Sequence, residues 1–180
     1  MKRKLKLNTL TARAQSKLHI CNTKKSKNTV KSVENLYKVF TDGGVRSGNP
    51  GIGASSYIIK FPDGKRLEGV TEHSTKVTNN EMEYDGVITA LEKLLELRVE
   101  KCTIDMCCDS LLVVQQVNCL CAVNQPHLMK LVNKIWGLIG ELESNRTCVK
   151  LRHIRRELNT EADAICTKYL DDITKHKRGY

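Results

Sequence analysis

The chain has 180 residues, with 30 Lys+Arg against 20 Asp+Glu and a formal net charge of +10, which is room for one domain and a tail. Ten basic residues (Lys2, Arg3, Lys4, Lys6, Arg13, Lys17, Lys24, Lys25, Lys27 and Lys31) and no acid fall in positions 1–33, so from position 34 onward 20 basic residues balance 20 acids. A neutral domain behind a basic arm excludes a uniformly basic, nucleic-acid-coating module. No run is apolar enough to span a membrane: the longest stretch free of charged side chains, Ser110 to Met129, is broken by Gln115, Gln116, Asn118, Asn124, Gln125 and Pro126.

Positions 1–33 carry only a weak helical stripe (Leu7, Leu10, Ala14, Leu18) among Lys, Ser, Thr and Asn, which predicts a disordered arm or a helix formed on a polyanion. A targeting segment is the alternative, although eight Lys to two Arg weighs against a transit peptide. No apolar core of a secretory signal is present. The eight cysteines show no CxxC pair and no zinc-finger spacing, and several sit in apolar runs. They predict reduced, mostly buried thiols and an intracellular setting, cytoplasm or nucleus, with organellar targeting by the arm as the alternative. The expected division is therefore an arm over 1–33, one domain over 34–173 and a basic tail over 174–180.

Leu36 to Thr41 predicts a strand, followed by a glycine-rich loop from Gly43 to Gly53. Ala54 to Phe61 predicts a second strand, joined through Pro62-Asp63-Gly64 to a third, Arg66 to Ser74, as a hairpin. Asn79 and Asn80 are candidate N-caps of a helix reaching Leu97, with Glu81, Glu83 and Asp85 at its positive end. Within it Glu83 shares a face with Val87, Ala90 and Leu94. A carboxylate on a face that docks against a sheet is costly without a partner.

Lys101 to Cys108 predicts a fourth strand ending at Asp109-Ser110, and Leu111 to Val117 a short helix. Pro126 opens a longer helix with an apolar stripe through Leu128, Leu131, Val132, Ile135, Leu138, Ile139 and Leu142. Thr147 to Ile154 predicts a fifth strand, and Thr160 to Leu170 a last helix capped by Asn159 or Thr160. The order β-β-β-α-β-α-α-β-α predicts an α/β fold, a mixed sheet flanked by helices.

Four acids stand at element ends or on apolar faces: Asp42, Glu83, Asp109 and Asp163. Brought together, they would raise one another's pKa values unless a cation neutralised them. Oxygen-only donors call for a hard ion, Mg²⁺ or Mn²⁺, and two such ions serve phosphodiester hydrolysis. Spacing alone leaves helix caps and surface charges as the alternative.

Four segments resemble, in order and spacing, the type 1 ribonuclease H family: FTDGG with GNPGIG (Phe40 to Gly53), TNNEMEY (Thr78 to Tyr84), CDSLLVVQQV (Cys108 to Val117) and RHIRRELNTEAD (Arg152 to Asp163). The likeness covers residues 36–170 and is closest to the form without a basic handle, as in archaeal enzymes and plant-type reverse-transcriptase-like domains. It implies the ribonuclease H fold, a five-stranded sheet in order 3-2-1-4-5. It also implies an endoribonuclease that cleaves the RNA strand of RNA–DNA hybrids, leaving 5′-phosphate and 3′-hydroxyl ends, with two Mg²⁺ ions or Mn²⁺ in their place. Carried over residue by residue, the catalytic and metal-binding acids are Asp42, Glu83, Asp109 and Asp163. Glu81 is the rival to Glu83, which is preferred because it shares the Val87-Ala90-Leu94 face.

The resemblance also implies hybrid contacts by Gly43, Gly44, Asn49, Thr78, Asn79 and Asn80. The glycines would let backbone approach closely, and the amides would read 2′-hydroxyls in a wide minor groove. Capping alone is the alternative role for Asn79 and Asn80. Leu111 stands where the family often has Gln, and the segment Arg155 to Asn159 is short and lacks the His of bacterial members. His153 is expected inside the fifth strand in a structural role, and Arg155 and Arg156 as solvated surface charge, with orientation of phosphate or product as their alternative role. The competing function is a hybrid- or RNA-binding module without turnover. A nucleotide-binding loop at GNPGIG is disfavoured because a strand, not a helix, follows it. A monomer is the default expectation.

Overall fold

The computed structural model describes residues 35–177. Five strands, β1 (Leu36–Arg46), β2 (Gly51–Lys60), β3 (Arg66–Val77), β4 (Thr103–Cys108) and β5 (Cys148–His153), form one sheet in the order β3-β2-β1-β4-β5. Four helices accompany them: α1 (Asn79–Glu96), α2 (Leu111–Val117), α3 (Pro126–Ser144) and α4 (Thr160–Lys177). The element order and the strand order are the expected ones. β1 is antiparallel to β2 and parallel to β4, so the sheet is mixed. The expected arm over 1–33 lies outside the described residues.

β1 is longer than its apolar pattern suggests. Gly43, Gly44, Val45 and Arg46 pair with Ser55, Ala54, Gly53 and Ile52, so the loop shrinks to Ser47–Pro50 and Asp42 lies inside a strand, not at its end. A polar or glycine residue stays in a strand when a neighbouring strand satisfies its backbone groups. On its other side β1 loses its partner: pairing with β4 stops at Thr41↔Cys108, and pairing of β4 with β5 at Cys108↔His153. Asp42 and Asp109 are therefore the first residues past that shared edge.

Helices α1 to α3 gather over one face and α4 packs against β1 and β2 on the other. Val87, Ala90, Leu91 and Leu94 of α1 are completely buried; burying a leucine-sized side chain contributes about 1.5–3 kcal/mol. Along α3 the expected stripe is buried at Leu128, Val132, Ile135 and Leu142, while Leu131, Leu138 and Ile139 are only partly buried against the core. Tyr84 donates to Gln116, whose Nε2 donates to Ala122 O at 3.0 Å, so α1, α2 and the segment after α2 are tied beside Glu83.

Three local expectations are corrected. Neither Asn79 nor Asn80 caps α1: Thr78 does, its hydroxyl accepting from Glu81 N at 3.3 Å while the Glu81 carboxylate accepts from Thr78 N at 2.8 Å. This reciprocal box satisfies two otherwise orphaned donors. The last helix continues beyond Leu170, and beyond the expected boundary at 173, to Lys177, because Cys166, Leu170 and Ile173 extend one apolar stripe onto Ala54 and Val70. Six described cysteines are free, with Cys102, Cys107, Cys108 and Cys166 buried as expected, whereas Cys148 is disulfide-bonded. Among the described residues no helix is long and apolar enough to cross a membrane.

Candidate active site

Each of the four acids comes from a different element, and the fold brings all four to one cleft beside the end of β4, lined also by Gly44 and Asn79. Asp42 is on β1, Glu83 on α1, Asp109 directly after β4 and Asp163 on α4. The approach of α1 to β1 is set by glycine. A Cβ on Gly43 would lie 2.1 Å from the Met82 carbonyl carbon and 2.5 Å from Glu83 N; one on Gly86 would lie 2.8 Å from Asp42 O. Bare backbone on both elements lets Glu83 sit over Asp42. Gly43 is buried under α1, so the close approach it permits is between two parts of this chain. Gly44 faces α4 instead, with Leu170 Cδ1 3.2 Å from where its Cβ would be.

Electrostatics divide the acids. Asp42 is only 7 % exposed, and its carboxyl is pushed up to about 7, first by burial, then by Asp109 and Asp163. Glu83 is pushed up to about 9, again chiefly by burial, then by Asp42 and Asp109. Glu83 Oε2 is buried and has no hydrogen-bond partner. Such an atom is expensive in isolation, and a cation is what an orphaned carboxylate oxygen among other carboxylates accommodates. The residues present therefore fit a divalent ion. Glu81 is spent on the Thr78 cap, and of the two glutamates it is Glu83 that lines the cleft.

Asp109 and Asp163 have partners. Asn159 Nδ2 donates to Asp109 Oδ1 at 3.0 Å and to Thr41 O at 2.9 Å. Arg156 Nη2 donates to Asp163 Oδ1 at 2.7 Å. The start of α4 is pinned by Ser56 Oγ donating to Ala162 O at 2.8 Å and by Lys60 and Arg66 on Glu161, both at 2.6 Å, which fixes where Asp163 enters.

Asn159 is the functional candidate that sequence reasoning missed, and Arg156 is one that it ranked below plain surface charge. Asn159, expected as a helix cap, is 1 % exposed and its side chain is diverted to Asp109; an Asn four residues before a site acid was the available signal. Arg156, expected as solvated charge, is indeed exposed but points at Asp163. His153 is the last residue of β5, the strand position expected of it, and its side chain is exposed.

Of the expected hybrid-contacting residues, Asn79 lines the cleft, and its backbone N–H donates to Asn49 Oδ1 at 3.1 Å, joining the β1–β2 loop to the start of α1. Asn49 and Asn80 are exposed. The Thr78 hydroxyl donates to Glu81 Oε2 at 2.7 Å, so it is occupied by the cap. Leu111, two residues after Asp109, is 50 % exposed.

A mixed sheet in this order with carboxylates converging at its centre defines the ribonuclease H-like class. Residues 40–169 match the family model described as reverse transcriptase-like. Ribonuclease HI of Halobacterium salinarum is 29% identical over 133 residues, 74% of this chain and 63% of that protein. A ribonuclease H of Wolbachia pipientis is 34% identical over 124 residues, 69% of this chain and 72% of that protein. In three dimensions the chain is similar to RNase H1 from Halobacterium salinarum, with a TM-score of 0.67 at 30% identity over 76% of this chain and 98% of that one. It is also similar to an RNase H1 isolated from compost by a metagenomic approach, solved in complex with an RNA/DNA hybrid, with a TM-score of 0.68 at 30% identity over 77% of this chain and 99% of that one. The chain belongs to the type 1 ribonuclease H family.

Proposed function

We propose that this chain is a metal-dependent endoribonuclease that hydrolyses the RNA strand of RNA–DNA hybrids. The observation that carries the reading is the convergence of Asp42, Glu83, Asp109 and Asp163, with Glu83 Oε2 buried and unpartnered at its centre. Those four side chains would hold two Mg²⁺ ions, or Mn²⁺ in their place. When bound, such a pair supplies activation of the attacking water and stabilisation of the departing oxygen.

The chain's own residues do the positioning. Asn159 donates to Asp109 Oδ1 and leaves that carboxylate's second oxygen for a cation. Arg156 stands on Asp163, where a guanidinium compensates negative charge as a phosphate approaches. Asn79 lines the cleft and is joined to Asn49 by a hydrogen bond; with the exposed Asn80 they would supply amides, the donor type that reads 2′-hydroxyls. Gly44 keeps the floor of the cleft free of a side chain. The basic segment over 1–33 would add sequence-independent phosphate contacts with steep salt dependence.

A reading as a binding module without turnover draws on Leu111, an apolar group on the rim where a polar contact would serve. Four clustered acids oppose it, because uncompensated carboxylates repel a polyanion. The test is cleavage of a labelled hybrid in Mg²⁺ and in Mn²⁺ by the whole chain and by Asp109→Asn. Metal-dependent cleavage lost in the variant is the expected result; tight hybrid binding with no cleavage in either metal would hand the case to the binding module.

A further inference from the structure

Cys108 is the last residue of β4, completely buried, and next to the site acid Asp109. Its Sγ accepts from Ser110 N at 3.4 Å, which holds the sulfur at the strand end. Donor atoms of Glu83, Cys108 and Asp109 all lie within 4.8 Å of one another. The acid cluster therefore contains a soft donor that a purely oxygen-based site for a hard ion does not need.

We infer that Cys108 makes this cluster a site for a thiophilic divalent cation, Zn²⁺ or Cd²⁺, held by Glu83, Cys108 and Asp109 and excluding the hard ion from the cleft. Sulfur is the donor that selects such ions over Mg²⁺. A tetrahedral site with metal–sulfur bonds of about 2.3 Å and metal–oxygen bonds of about 2.0–2.2 Å puts its donors roughly 3.5 Å apart, so the side chains must draw in by an ångström or so. Glu83 is able to do that, because Oε2 has no partner to give up. Asp109 keeps one oxygen on Asn159 and turns the other to the ion. Asn159 is itself 1 % exposed with Oδ1 unpartnered, a second buried acceptor beside this site. A water completes the fourth position, and the thiol proton leaves to solvent as the cation binds. Cys166 lines the cleft itself, whereas Cys108 lies beneath it in the core; Cys166 donates to Ala54 O at 3.4 Å and lies outside this donor group, which makes it the internal control.

The cation site stands on geometry alone; the loss of activity it causes rests on the ribonuclease reading. The test titrates Cd²⁺ into the full chain, with and without excess Mg²⁺, and follows the thiolate-to-metal charge-transfer band in the ultraviolet. The expected band is present in the wild type and in Cys166→Ser and is lost in Cys108→Ser and Cys108→Ala, each checked for cooperative thermal unfolding. Glu83→Gln, which keeps the thiol, shifts the Cd²⁺ midpoint upward by about tenfold or more. In hybrid cleavage with Mg²⁺, Zn²⁺ inhibits the wild type, and Cys108→Ser needs about tenfold more Zn²⁺ for the same inhibition. A band that persists in both Cys108 variants, or that ignores Glu83→Gln, overturns the inference. A Cys108-dependent band in a chain that cleaves nothing leaves the sulfur site standing and sinks the ribonuclease reading.

Discussion

Asp42 and Glu83 lie at the floor of the cleft, where α1 seats on β1, and are held well above the ordinary carboxylate range first by burial and then by neighbouring site acids. Asp109 and Asp163 lie at the rim, one accepting from Asn159 and the other from Arg156. The same residue type thus behaves in two ways within one site. At the floor, desolvation without a donor leaves charge that a proton or a cation must relieve; at the rim, the chain supplies its own compensation. On the proposed reading, the need for a cation is concentrated in the buried half of the site, whereas its rim is preset.

The sharpest way to break this comparison is to neutralise one acid of each kind. Glu83→Gln should reduce metal-dependent hybrid cleavage by at least about 10²–10³-fold yet raise the melting temperature of the metal-free chain at pH 8. Asp163→Asn should also impair cleavage, but it should change stability by no more than about 0.5 kcal/mol, because its exposed pairing with Arg156 is worth little. Equal stabilisation by both substitutions would erase the distinction between floor and rim.

Next in size is Gly43→Ala. The added methyl would stand 2.1 Å from the α1 backbone, and forcing such a contact costs about 3 kcal/mol or more. Urea unfolding should show that loss. A near-neutral result would mean that α1 can retreat from β1 and that the floor is not rigidly built.

A third expectation concerns pH. A carboxyl whose native pKa is raised holds its proton more tightly folded than unfolded, so stability is full below the unfolded values of 3.8 and 4.5 and falls as pH rises. In the metal-free chain the fall should run through about 7 for Asp42 and about 9 for Glu83. Thermal melts from pH 4 to 9, read as wild type minus Glu83→Gln, should isolate the Glu83 part, and Mg²⁺ should flatten it. A difference that does not change with pH would refute burial of Glu83 as the origin of the metal requirement. The smallest effect is expected for Arg156→Ala. Stability should move within about 0.5 kcal/mol, and only cleavage kinetics should reveal the loss of a rim cation.

Much of the site was legible in the sequence, and the reasons are local. Glu83 declared itself by sharing a helical face with Val87, Ala90 and Leu94, an arrangement whose period is visible without neighbours. The role of Gly43 was not legible, because its bare side meets α1, a segment that lies two strands further along the chain. Asn159 read as a cap because the preference of Asn before a helix is local, whereas its hydrogen bonds to Thr41 and Asp109 cross the sheet. Asn79 and Asn80 misled for the same reason: Thr78 wins the cap through its reciprocal bond with Glu81. The extent of β1 past Asp42 depended on β2 as a partner, since Gly43 and Gly44 carry no strand signal of their own.

The order of elements and the α/β class followed from periodicity and turn residues, which are properties of short segments, whereas the choice of the four acids as a set came from the motifs' resemblance to a family. Only the tertiary structure decided that two of those acids are buried and two compensated. It also decided that glycines serve the seating of a helix on a strand and that the Cys108 thiol lies beside the carboxylates of Glu83 and Asp109. Burial, register and orphaned atoms arise where distant segments meet, and no single segment contains them.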